Sequence, residues 1–164
     1  MLAQTIKNRF PNIVLDALTT PIASSKADQV IVVKKQGVKD LLSVLRTDPE
    51  FQFNVLMDLS CVDYLHWEEK ENRFEVIYNL FSLNKNQRLI VKALVPESDA
   101  VMDSVASIWP AANWHEREVW DMFGIRFEGH PGLKRILMYE EFQGHPLRKD
   151  YPYNRRQPLI GPLN

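Results

Sequence analysis

The stretch from Phe51 to Val95 restricts the fold more than any other part of the chain. Three runs follow one another there, "FQFNVLMDLSCVDYLH", "RFEVIYNLFSL" and "QRLIVKALV", each alternating or continuously apolar. The "NKNQ" between the last two is turn chemistry, so those two strands are expected to form a hairpin. Upstream, "NIVLDAL" and "DQVIVVK" are two further β-branched runs, separated by the loop "TTPIASSKA". Helical spacing surrounds them. Leu2, Ile6 and Phe10 recur before Pro11, and Val38, Leu41, Leu42 and Leu45 recur before "TDPE". Ser98 and Asp99 are placed to cap a helix carrying Val101, Val105 and Ile108 and ending before Pro110. Strands joined mostly by hairpins, with helices to cover one face, indicate an α+β two-layer sandwich. The expected sheet is mixed or antiparallel with about five strands.

The chain has 164 residues, enough for one sizeable core and short for two domains. Its character changes near Gly129: periodicity fades and five of the ten prolines fall between Pro131 and Pro162. Six cations face three carboxylates after that point, so the tail carries about +3 and leaves the body near −4. Residues 1–128 are thus expected to form the α+β body and 129–164 an extended, Pro-rich basic tail. The tail cannot fold alone, yet Leu133, Ile136, Leu137, Met138 and Tyr139 need cover. It is expected to wrap this domain or a partner.

A formal charge of −1 gives no global attraction for nucleic acid or anionic lipid. The single cysteine, Cys61, excludes an internal disulfide and a multi-cysteine metal site, as suits a reducing compartment. The N-terminus lacks the apolar core of a signal peptide, and no run approaches the roughly 20 apolar residues of a membrane span. A soluble, cytoplasmic protein is expected, reaching a membrane only through a partner.

The densest chemistry lies in "NWHEREVWDMFGIRFEGHPGLKRILM". Asn113 and Glu116 have capping-box spacing. Val119, Trp120, Met122 and Phe123 would form the apolar stripe of the helix that follows, with Gly124 as its left-handed cap. Arg117, Glu118 and Asp121 would share the exposed face, Arg117 and Asp121 as an i, i+4 ion pair. Glu116 and Glu118 point apart, which suits no acid/base dyad. His115, Glu116, His130 and His145 could serve a metal-dependent hydrolase, but they miss the "HExxH" spacing, and loop-fixing hydrogen bonds are the simpler use. Cys61 lies in apolar "MDLSCVDYL", where an inert thiol is expected. "RKDYPYNRR" interleaves cations and aromatics as single-strand RNA binders do, yet a tail docked on an acidic protein surface fits the composition better. Trp109, Trp114 and Trp120 cluster beside that tail, and aromatics with arginines are favoured interface anchors.

The block "EREVWDMFGIRFEGHPGLKRILM" resembles the signature of the C-type subunit of NADH-quinone oxidoreductase, respiratory complex I, and "GHPLRKDYP" resembles that family's next block. Together they cover about a quarter of the chain. The resemblance implies an accessory subunit of the peripheral arm, supporting electron transfer from NADH to quinone coupled to proton translocation. It implies no cofactor and no catalytic centre in this chain; NADH, FMN, iron–sulfur clusters and quinone would be held by partner subunits. Those partners would be the large quinone-site subunit, of the D type, and the iron–sulfur subunits of the B and I types, on the cytoplasmic side of a bacterial inner membrane. The alternative is the equivalent subunit of a related membrane-bound hydrogenase or other quinone-linked complex, and the chain resembles the form not fused to the large subunit. The residues carried over as the partner interface are Glu116, Arg117, Glu118, Asp121, His130, Lys134, Arg135, His145, Arg148, Lys149, Asp150 and Tyr151.

Overall fold

A computed structural model describes residues 1–20, 28–154 and 156–158. Most of the "TTPIASSKA" loop, Arg155 of the basic tail and the terminal "LIGPLN" lie outside the described residues. The elements run α1 (Leu2–Arg9), β1 (Val14–Thr20), β2 (Asp28–Lys34), α2 (Val38–Thr47), β3 (Val55–Asp63), β4 (Phe74–Ser82), β5 (Gln87–Val95), β6 (Val101–Asp103), α3 (Ala112–Phe123) and β7 (Arg126–Glu128).

Five strands form a mixed sheet in the order β1-β2-β5-β4-β3, with β2 and β5 parallel and the other pairs antiparallel. Strand alternation sets the layers. Phe74, Val76, Tyr78 and Leu80 of β4 are buried, as are Leu89, Val91, Ala93 and Val95 of β5, while the residues between them on the opposite face are mostly half-buried. The buried face joins one core with Ile6 of α1, Leu41, Leu42 and Leu45 of α2, and Val119 and Met122 of α3. The α+β two-layer architecture is the expected one. Among the described residues no helix is long and apolar enough to cross a membrane.

One expected element is absent. Ser98 and Asp99 do not cap a helix; Glu97–Asp99 is a single 3-10 turn, and Val101–Asp103 runs as β6, parallel to β7. Lys35 fixes that change: its ammonium binds the Asp99 carboxylate, the Asp99 carbonyl at 2.9 Å and the Val101 carbonyl at 3.2 Å. Val105 and Ile108 are still buried, because the amides of Ile108 and Trp109 both turn back onto the Val105 carbonyl. Helical spacing was therefore satisfied by a turn.

Candidate functional site

The expected capping box at the start of α3 does not form: the N-cap is Ala111, with no side-chain bond. Glu116 turns inward and is buried, its Oε1 accepting from the Val105 amide at 2.7 Å and Oε2 from the Ser104 hydroxyl at 2.6 Å. It ties the segment after β6 to α3. Burial pushes its pKa up, with the Ser104 and Val105 hydrogen bonds pulling the other way.

Asp121 overturns a second expectation. It forms no pair with Arg117; its side chain is 0% exposed, and Oδ2 accepts three consecutive amides, from Ile136 at 3.0 Å and from Leu137 and Met138 at 2.9 Å each. Arg135 adds an ion pair to Oδ1 at 2.5 Å. Burial opposes the charge, but these amides and the guanidinium outweigh it and hold the carboxyl below the usual carboxylate range. Arg135 also reaches the carbonyls of Phe142 and Gly144 and lies over the Trp120 and Phe142 rings. Arg117 is turned to the same segment, donating to the carbonyls of Lys134 and Arg135 while its guanidinium stacks 5.1 Å above Trp114.

The second signature block completes the end of α3. A helix leaves its last carbonyls without intrahelical donors, and here each finds one. The Trp120 carbonyl takes the Gly124 amide, that of Asp121 takes His145 Nδ1 at 3.0 Å, that of Met122 takes the Leu147 amide at 3.0 Å, and that of Phe123 takes Arg148 Nε at 2.5 Å. Burial lowers the His145 pKa, consistent with a neutral ring donating from Nδ1. Gly124 has φ +76°, and a Cβ there would lie 2.6 Å from His145 and 2.8 Å from Arg148. The position needs glycine for its backbone and for the closeness of the tail.

A further clamp was missed in the sequence. Asp63, at the end of β3, is bound two-fold by Arg73 at 3.1 and 2.9 Å. The same guanidinium grips Asp150 two-fold at 2.7 and 3.1 Å and also meets Glu97, while the Lys149 amide donates to Asp63 Oδ2 at 2.8 Å. The guanidinium groups of Arg73 and Arg148 both lie over the Phe74 ring, 4.9 and 5.1 Å from its centre. The signal was available in alternation: Asp63 continues the inward phase of Leu59 and Cys61, so a carboxylate at that position required a buried partner.

The remaining expected residues are dispersed. His130 donates from Nε2 to the Asn113 carbonyl and accepts the Gly132 amide at Nδ1. His115 lies 3.6 Å from Asp58, so the three histidines serve three separate contacts. Cys61 is buried, and burial pushes its thiol up to about 12, which keeps the thiolate scarce near neutral pH. Trp109 is in the core and Trp120 lies under Arg135, whereas Trp114 is 62% exposed. Tyr151 stacks on Phe142 at 6.0 Å. Glu118, Lys134 and Lys149 keep exposed side chains without an ion-pair partner among the described residues, and Leu137 is 56% exposed although its amide is fixed.

The sequence family described as respiratory-chain NADH dehydrogenase, 30 Kd subunit, matches residues 31–157. The C-type subunit of NADH-quinone oxidoreductase from Citrifermentans bemidjiense is 41% identical over 161 residues, covering 97% of this chain and 94% of that protein. Its namesake from Rhodobacter capsulatus is 47% identical over 127 residues, which is 77% of this chain but only 62% of that longer relative. Among solved structures, the trypsin-resistant fragment of Nqo5 superposes with TM-score 0.66 at 29% identity, covering 80% of this chain and 96% of that one. An archaeal membrane-bound sulfane sulfur reductase contains a chain of the same fold, with TM-score 0.72, 24% identity and coverage of 93% and 85%.

Proposed function

Since the chain belongs to the respiratory-chain NADH dehydrogenase 30 Kd subunit family, whose relatives are C-type subunits of NADH-quinone oxidoreductase, we propose that it is a structural subunit of the peripheral arm of complex I. In this reading it holds partner subunits in register while they carry NADH, FMN, iron–sulfur clusters and quinone, and it binds no cofactor itself. Its partners are the large quinone-site subunit of the D type and the iron–sulfur subunits of the B and I types. It works at the cytoplasmic side of the membrane and reaches the bilayer only through them.

The observation that carries this reading is the family match across residues 31–157, which includes both charged blocks. The geometry supports a division of labour within those blocks. Asp121, Arg135, His145, Arg148 and Asp150 are engaged within the chain. The exposed side chains on the resulting surface, Trp114, Glu118, Lys134, Leu137 and Lys149, are the ones proposed to meet partners. A rigid surface loses little conformational entropy on docking, which favours a scaffold role.

The test is to purify the tagged full-length chain from membranes of its own cells and identify what accompanies it. The large quinone-site subunit and iron–sulfur subunits are expected, with NADH-dependent quinone reduction in the same fraction. Retrieval of the chain alone overturns the proposal. Retrieval with the subunits of a different membrane complex, without NADH oxidation, overturns the assignment to complex I.

A further inference from the structure

The connection between β3 and β4, "YLHWEEKENR", holds a tryptophan that the fold leaves open. Trp67 is 63% exposed, yet its backbone is pinned. Its amide donates to the Tyr64 carbonyl at 2.8 Å and its carbonyl accepts the Lys70 amide at 3.0 Å, giving two successive tight turns. The Tyr64 amide closes the loop on the Arg73 carbonyl at 2.7 Å, and the Leu65 amide is held by Asp63 at 3.0 Å. The indole meets the Tyr64 ring edge-on, 5.4 Å between centres.

This small aromatic platform already accepts a cation. The Lys70 ammonium lies 4.6 Å over the Tyr64 ring and pairs with buried Glu75 at 3.3 Å. With Lys70 engaged, Glu68, Glu69 and Glu71 remain exposed and have no ion-pair partner among the described residues.

We propose that this loop is a docking surface for a short arginine-bearing segment of a partner polypeptide, one guanidinium stacking on Trp67 and its neighbouring cations meeting Glu68, Glu69 and Glu71. An exposed indole beside unpaired carboxylates attracts cations through both ring quadrupole and charge. Arginine suits it better than lysine, because a planar, weakly hydrated guanidinium stacks with less desolvation. The same carboxylates repel phosphate, which disfavours nucleic acid and anionic lipid as occupants. The pinned backbone keeps the ordering cost of binding low. This surface lies outside the family blocks, and the inference stands without the assembly reading.

The experiment titrates the full-length chain, with its indole nitrogens labelled for NMR, against a synthetic peptide of alternating arginine and serine, and against a control with glutamate for arginine. The Trp67 indole resonance, identified by its loss in Trp67→Leu, is expected to move saturably with the arginine peptide only. Apparent Kd, read for every variant by fluorescence anisotropy of the dye-labelled arginine peptide because the Trp67 resonance disappears with its indole, is expected to rise about fivefold or more in Trp67→Leu and in the combined Glu68→Gln, Glu69→Gln, Glu71→Gln variant, and less in Trp67→Phe, which keeps a ring. The Glu140→Gln, Glu141→Gln pair, on the tail, should leave Kd unchanged. These side chains are exposed, so thermal midpoints are expected at the parent value; if Trp67→Leu unfolds, Trp67→Phe and the glutamine variant still decide. Undiminished affinity in Trp67→Leu or, failing that, in the glutamine variant, equal weakening by the tail pair, or no saturable shift at millimolar peptide overturns the proposal.

Discussion

Arg73 grips Asp150 across 77 positions of sequence, at 2.7 Å, with the same guanidinium that satisfies Asp63. One side chain of the body therefore neutralises a buried carboxylate and moors the C-terminal segment. The two partners are not equivalent: Asp63 is fully buried, whereas the Asp150 side chain is half exposed. Arg73→Ala is expected to destabilise the chain by about 3–5 kcal/mol, since it leaves a buried charge unpaired. Asp150→Asn is expected to change global stability by about 1 kcal/mol or less. Urea unfolding of both variants checks this, and similar losses would contradict the asymmetry.

Asp121 is the tail's principal anchor, which reverses what its i, i+4 relation to Arg117 suggested. Replacing it by alanine strands three amides and Arg135, and is expected to cost about 3 kcal/mol or more. Trypsin should then cut the isolated chain after Arg135 at least about tenfold faster, since cleavage follows the population of the open form. Arg117→Ala should matter less, because it releases two carbonyls that water can reach. Equal protease sensitivity in the two variants would refute the anchor role.

Gly124→Ala combines a left-handed backbone with contacts of 2.6–2.8 Å to His145 and Arg148. The backbone strain alone is roughly 1–2 kcal/mol, and the displaced tail adds the loss of three caps on α3. Hydrogen exchange of the Leu147 amide is expected to accelerate far more than that of amides in β4 and β5. Uniform acceleration would mean that the variant simply unfolds.

Three carboxylates that hold the tail, Asp63, Asp121 and Asp150, lie below the usual carboxylate range. Burial raises Asp63 and Asp121, but in Asp63 the Arg73 pair and the Lys149 and Leu65 amides outweigh it; in Asp150 the Arg73 bond leads directly. A carboxyl depressed in the folded state contributes stability in full above its unfolded pKa, near about 3.9, and loses it as pH falls through the folded value. The tail is therefore expected to remain docked at neutral and mildly acidic pH and to release only below about pH 4. NMR shifts of the Ile136, Leu137 and Met138 amides report it; a midpoint at pH 5 or above would be incompatible with the clamp.

Glu116 has the opposite sign. Its pKa is raised, so its contribution falls as pH climbs from the unfolded value, near about 4.3, through the folded one. Glu116→Gln removes that dependence and can still accept the Val105 amide while donating to Ser104, so it is expected to lie within about 1 kcal/mol of the parent at pH 7. Glu116→Ala leaves the Val105 amide buried without a partner and should lose about 1–3 kcal/mol. Thermal melts at pH 5 and 7 distinguish the two; a glutamine variant as unstable as the alanine one would show that charge itself is required.

Sequence alone determined the five strands of the sheet, the helices α1, α2 and α3, the left-handed cap at Gly124 and the two family blocks, because strand alternation, helical spacing and a turn-requiring glycine are local and repeat within a few residues. The tertiary structure decided the rest. Val101–Asp103 became a strand because β7 and Lys35 lie beside it. Glu116 and Asp121, which helical geometry alone assigns to capping and to a solvent face, became buried acceptors because distant segments cover α3. A carboxylate's role is set by whichever donors the folded chain brings within 3 Å of it, and for Asp63 and Asp121 those donors lie up to 86 residues away, beyond the reach of any local pattern.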